Sequence, residues 1–316
     1  MKIFFILLLS FSVYAQNLYM PDKIYRASGS VNDIVLSNTK LYCATSAGSV
    51  DIFNIKNTKK IKSLHIEKIT NFLNEKIDAK VYSVDVYEKK VLVLSQASGG
   101  FREVYIFDEK GKATLVIGSK EKLYIAKAEF INKDTILLGL LSNDIVSFNI
   151  IKKSQNWSIQ ASQSKFSNLV MSKDKSEVVV ADESGELHLI STKTGKVLQV
   201  LSGENLDNVF AVDYKKETVI AAGQDRRVGV YEMAFKSSYH LETPFLVYGV
   251  GLSPSAKIGA YSSDENNNVT LFKLSTKSKL GVYGGNKMTL TKILFMNEKE
   301  FFVASDDSVV NYYKIK

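Results

Sequence analysis

Apolar and polar residues alternate along this chain in short stretches that break at Gly, Asn, Asp, Ser or Lys and then resume. This is the pattern of half-buried strands joined by turns. Val31-Asn32-Asp33-Ile34-Val35-Leu36 reads as a strand, Ser37-Asn38-Thr39-Lys40 as a turn and Leu41-Tyr42-Cys43-Ala44 as a second strand. Gly48 turns the chain into Val50-Asp51-Ile52-Phe53, and a last short strand falls near Ile61 to Leu64. Further copies of this unit open at Val81, Ile125, Phe166, Val209, Val247 and Leu290. The clearest is the fifth: Ala221-Ala222 ends a strand, Gly223-Gln224-Asp225 turns, and Val228-Gly229-Val230-Tyr231 is the next strand.

One core position of the first strand runs through Ile34, Val84, Ala128, Leu169, Val212, Val250 and Ile293, at intervals of 50, 44, 41, 43, 38 and 43 residues. Four-stranded propeller blades repeat at about 40–45 residues. Hairpins spaced by chance would not keep small residues in the second strand and an aromatic in the third. The seventh copy stops after three strands, while Lys23-Ile24-Tyr25-Arg26-Ala27 stands unassigned ahead of the first. Pairing the two closes a ring and removes a free edge. The expected fold is all-β: a single seven-bladed β-propeller over residues 16–316, its N-terminal strand completing the last blade.

Residues 1–15 carry a different pattern. Lys2, the apolar run Ile3–Leu9, and Val13 and Ala15 at the −3 and −1 positions have the anatomy of a secretory leader. The run is too short to span a bilayer, which takes about 20 apolar residues. No cysteine follows the expected cleavage site, so no lipid anchor is expected. Cys43 is the one cysteine of the chain and reads as a buried structural thiol, which leaves stability to the core and to blade stacking. The leader and the absence of disulfides suit a bacterial periplasm.

The chain is basic, with 41 Lys and Arg against 33 Asp and Glu. Lys59-Lys60, Lys89-Lys90, Lys152-Lys153, Lys215-Lys216 and Arg226-Arg227 fall mostly at turns, where a solvated surface explains them. No basic stripe suggests nucleic acid.

The repeats resemble WD40 proteins in Ala222-Gly223-Gln224-Asp225 through Val230-Tyr231, in Ser262-Ser263-Asp264 through Leu271-Phe272, and in Ala304-Ser305-Asp306 through Tyr312-Tyr313. The Gly-His that usually precedes each blade is absent, and Phe or Tyr replaces the third-strand Trp, with Ile190 in the fourth copy. The whole chain is also similar to a family of exported, WD40-like accessory proteins encoded with the periplasmic nitrate reductase of epsilon-class bacteria. That similarity lies in leader, length, blade number and a Lys/Asn/Ile-rich composition. It implies a non-catalytic periplasmic protein assisting assembly or electron supply of a molybdenum nitrate reductase. Apart from the resemblance, a monomer without a cofactor is expected, its partners periplasmic proteins such as nitrate reductase subunits. A scaffold for outer-membrane protein assembly is the alternative within the same class.

Catalytic spacings are missing: the sequence has no His-Glu-x-x-His, Gly-x-Ser-x-Gly, phosphate-binding Gly-rich loop or Cys-x-x-Cys. His65 and His240 fall on outer strands and His188 on a third strand, too dispersed for one metal site. Asp182-Glu183 and Asp306-Asp307 read as solvated turn residues. Thr194-Gly195-Lys196-Val197 matches the tight turn of quinoprotein repeats, but those use a repeated Trp, and this chain has Trp157 alone. A propeller enzyme of lactonase or quinoprotein type needs ligands converging on the channel. The expected channel column is Asp33, Ser83, Lys127, Asn168, Ala211, Gly249 and Lys292, which is no metal cage. The candidate partner-binding residues are therefore in turns: Asp225, Arg226 and Arg227 in the fifth copy, and Gly99, Gly100 and Arg102 in the inserted loop of the second.

Overall fold

A computed structural model describes residues 17–316; the leader expected over residues 1–15 lies outside the described residues. Seven blade sheets follow one another in chain order, and in the first six the four antiparallel blade strands lie in the order of the sequence from the channel outward. Blade 1 is Val31–Ser37, Lys40–Thr45, Ser49–Asn54 and Lys60–His65. Blades 2 to 6 occupy 81–117, 125–160, 166–201, 209–242 and 250–283 in the same way. Blade 7 draws Leu290–Asn297, Glu300–Ser305 and Val309–Lys314 from the C-terminus, and its fourth strand is Lys23–Arg26, antiparallel to Val309–Lys314. The closure expected from the unassigned N-terminal strand is therefore the one observed. Leu18–Tyr19 adds a fifth strand to blade 6, parallel to its outer strand, which the alternation does not reveal in so short a segment.

The core lies between blades. Seven apolar clusters are each shared by two neighbours, and the seventh joins Tyr25, Phe302 and Val310 of blade 7 to Ile34, Leu41 and Phe53 of blade 1. All seven residues of the repeating first-strand column are at most 8% exposed. Burying one such side chain contributes about 1.5–3 kcal/mol, so the ring rests on repeated interfaces of similar size.

Cys43 belongs to the closing cluster and is fully buried. Burial pushes its thiol up, with the nearby Asp51 and Asp33 carboxylates acting in the same direction. A thiolate is the reactive form, so native protein should resist a maleimide that labels it completely in denaturant. Rapid native labelling, followed by mass spectrometry, would contradict this burial.

Three segments depart from the strand pattern. Val247 sends its N–H to the Gly223 carbonyl of blade 5 (3.3 Å), so the first strand of blade 6 is only Val250–Leu252. The 50-residue first interval holds a small hairpin, Ile69–Thr70 with Lys76–Ile77, inserted between blades 1 and 2. Asp182, expected in a solvated turn, is fully buried, whereas Asp306 stays exposed. The Asp182 carboxylate accepts hydrogen bonds from Asn143 Nδ2 (2.9 Å), Ser162 Oγ (2.6 Å) and Ser184 N (2.8 Å), and these replace water.

Candidate docking face

Successive strands of a blade run antiparallel, so their connections sort onto two faces. The turns joining first to second and third to fourth strands share one face, tied by bonds such as Ile150 N to Asp134 O (2.9 Å) and Met233 N to Glu217 O (2.9 Å). The loops joining second to third strands share the other with the segments between blades. In every blade that loop donates an N–H to the segment that enters the blade, as Gln96 does to Lys80 O (2.8 Å) and Gln224 to Asn208 O (2.8 Å). These are the turn face and the loop face.

All six candidate partner-binding residues lie on the loop face, but in two places. Asp225, Arg226 and Arg227 are in blade 5, and Gly99, Gly100 and Arg102 are in blade 2, three blades away around the ring. Asp225 organises its own turn, accepting Leu206 N (2.8 Å) and Arg227 N (3.1 Å). Arg226 is the exposed member. It takes a left-handed backbone at φ 64°, and its carbonyl is held by Thr243 N (2.9 Å) and Oγ1 (3.0 Å) while its guanidinium projects outward.

In blade 2, Gly99 (φ 72°) and Gly100 (φ 81°) form a left-handed pair that a side chain would strain. Arg102 is committed to the fold: its guanidinium lies 3.8 Å from the centre of the Tyr82 ring, and Nη1 bonds the Ile125 carbonyl of blade 3 (2.6 Å). Burial pulls its pKa down against the Tyr82 contact. Its work is to join two blades.

The segment entering blade 2 on this face carries the hairpin of residues 69–77. Asn71 Oδ1 accepts Leu73 N and Glu75 N, both at 2.9 Å, which fixes the tip. The ordered tip holds Phe72 92% exposed and Leu73 62% exposed. Also on the loop face, Tyr124 is 53% exposed and 5.5 Å ring to ring from Phe101. Sequence reasoning did not single out Phe72, Leu73 or Tyr124. The available signal was the long first interval, with two large apolar residues set between Asn71 and Asn74.

The channel holds a cavity of about 650 Å³ lined by the expected column. In six blades a one-residue bulge at the start of the first strand, next to Asp33, Ser83, Lys127, Asn168, Ala211 and Lys292, re-aims the strand there. The polar groups around the channel then stitch blades together. Asp33, Asp85 and Asp213 accept N–H groups from Val84 (3.2 Å), Phe130 (2.7 Å) and Leu252 (2.8 Å), each in the next blade. Asn168 Nδ2 donates to Phe210 O (3.2 Å), and Thr291 Oγ1 donates to Val31 O (2.8 Å) across the closure.

The charges pair as Lys292–Asp33 (2.6 Å), Lys215–Asp213 (2.6 Å), Lys175–Asp85 (3.2 Å) and Lys127–Glu129 (3.4 Å). Burial works against the charge of Lys292, but Asp33 more than offsets it and holds the ammonium above the usual lysine value. Among the described residues no group of three or more His, Cys, Asp or Glu side chains is placed to hold a metal ion. His65 and His240 sit on outer strands and His188 on a third strand.

No family model and no curated protein matches the chain. Solved structures do. A chain of the structure titled "Crystal Structure of Mitotic Checkpoint Complex" is similar over 100% of this chain and 97% of its own, with a TM-score of 0.76 at 14% identity. An identity this low speaks for fold and leaves function aside. The fold is that of a seven-bladed, WD40-type β-propeller.

Proposed function

We propose that this protein is an exported, non-catalytic scaffold that docks another periplasmic protein on its loop face. The observation that carries this reading is the fixed hairpin tip, which holds Phe72 and Leu73 in water side by side. A folded protein gains nothing by ordering large apolar side chains into solvent, so such a patch marks a surface to be covered. The channel's polar side chains, by contrast, are occupied in joining blades, which supports a scaffold over an enzyme. The fold neighbour's title names a protein complex, and a rigid ring presenting loops suits the same use here.

The finer reading makes the partner a nitrate reductase or one of its electron donors, and the role assembly or electron supply. It rests on the whole-chain similarity in leader, length, blade number and composition.

The experiment is an affinity pull-down of the tagged mature protein from the periplasm of nitrate-grown cells, read by mass spectrometry. Nitrate reductase or its electron-transfer subunits should be enriched, with recovery down about tenfold for Phe72→Ser/Leu73→Ser and less for Arg226→Glu, as expected for a central apolar anchor and a peripheral charge. Recovery that the double substitution leaves unchanged would remove the loop face as the docking site. An eluate free of those subunits, from cells that still reduce nitrate after deletion of this protein, would remove the finer reading.

A further inference from the structure

The two faces differ in charge. The thirteen hairpin turns of the turn face hold seventeen Lys and no Arg, against seven Asp and Glu. The connections of the loop face hold eight Lys and Arg against thirteen Asp and Glu. Propeller topology thus converts basic pairs scattered through the sequence into one positive surface.

The densest sector spans blades 3 to 5. Lys152, Lys153, Lys193, Lys196, Lys216 and Lys236 are exposed there, and none forms an ion pair among the described residues. In the same sector two third-to-fourth turns carry an exposed apolar residue next to lysine. These are Ile151, 71% exposed beside Lys152, and Phe235, 78% exposed beside Lys236.

We propose that the turn face of blades 3 to 5 docks reversibly on an anionic lipid surface, with Ile151 and Phe235 entering the headgroup layer. Three features select lipid over an acidic protein. Lysine is a point charge without the bidentate fork that protein carboxylates reward. The charge is spread over a whole face instead of bordering a pocket. Single apolar side chains at turn tips, flanked by lysine, have the composition of an interfacial anchor. Docked this way, the ring leaves its loop face open to a protein partner, and the proposal stands whether or not that partner exists.

The test is co-sedimentation of the mature protein with phosphatidylcholine vesicles, with and without about 30% phosphatidylglycerol, at low and high salt. Binding should require phosphatidylglycerol and fall at least tenfold in high salt. It should fall about tenfold in Lys152→Glu/Lys153→Glu/Lys193→Glu and about fivefold in Ile151→Ser/Phe235→Ser. The same charge change on the loop face, Lys120→Glu/Lys122→Glu/Lys287→Glu, should leave it unchanged. Circular dichroism melts establish that each variant is folded, and the lipid and salt dependence of the unsubstituted protein tests the idea without any variant. Equal binding to both vesicle types, no binding to either, or equal losses for the two charge-reversal sets would overturn the proposal. So would binding to an acidic protein with none to vesicles.

Discussion

Removing residues 17–28 is expected to cost the protein its ring. Those residues supply the fourth strand of blade 7, and without it Val309–Lys314 becomes a free edge. The strand is also the centre of the closing interface. Tyr25 is fully buried, with ring centroids 5.8 Å from Phe53 of blade 1 and 5.6 Å from Phe302 of blade 7, and its hydroxyl bonds Ile55 O at 2.7 Å. Asp22 adds bonds to Lys314 N (2.7 Å) and Lys316 Nζ (3.0 Å) at the chain's far end. The truncated protein should be recovered mainly as aggregate.

A graded series separates the contributions. Tyr25→Ala deletes a large ring from a packed core and should destabilise by about 4 kcal/mol. At about 0.6 kcal/mol per kelvin of unfolding entropy for 300 residues, that lowers Tm by about 6 °C. Tyr25→Phe keeps the packing, loses one hydrogen bond and should cost about 1 kcal/mol. Removing residues 17–20 alone takes only the short parallel strand against Val282–Tyr283, so its effect should be the smallest of the truncations. Calorimetry on the series checks the order, and a Tyr25→Ala protein that melts like the wild type would refute closure by this strand.

Much of this architecture is legible in the sequence because blades repeat. The column from Ile34 to Ile293 is seven independent samples of one environment, and each turned out buried. The latch was legible by subtraction, since the last copy lacks a strand and the first has one too many. What repetition cannot reveal is the exception. The hairpin of residues 69–77 occurs once, pairs only two residues with two, and has no counterpart to align with.

The candidate site shows the same division. Asp225, Arg226 and Arg227 attract notice by charge and Arg102 by its place in an insertion, but charge in a turn does not say whether a side chain faces solvent or a neighbouring blade. The structure decides it differently at each position: Arg226 outward, Arg102 onto Tyr82 and Ile125 O. The polarity of the two faces was equally hidden. Lys59-Lys60 and Lys152-Lys153 are nearly a hundred residues apart, and only the antiparallel order of strands places both on one surface.

Asp182 is the position where such a misreading has the largest energetic consequence after the latch. A solvated turn aspartate could be replaced at almost no cost, but this one ends the second strand of blade 4, fully buried, with donors from three segments. Burial alone would raise its pKa. The His188 imidazole, 3.6 Å away, and the hydrogen bonds from Ser162 and Ser184 outweigh that and hold the carboxyl well below the usual carboxylate range. Asp182→Asn keeps the volume, removes the charge and turns an acceptor toward donors, so it should destabilise by about 3 kcal/mol at pH 7.

The pH dependence follows from the sign of the shift. A carboxylate whose folded pKa is depressed contributes stability that is fully present above its unfolded pKa of about 3.9 and is lost as pH falls below it. Wild-type stability should therefore drop between about pH 5 and pH 3 more steeply than that of Asp182→Asn, and the gap between the two proteins should narrow over that interval. Urea midpoints at pH 7, 5 and 3 read this directly. A constant gap would mean that the charge of Asp182 contributes nothing and that shape alone matters there. A narrowing gap would identify the buried carboxylate as the group that ties the loop of blade 3 and the entry to blade 4 into one side of the ring.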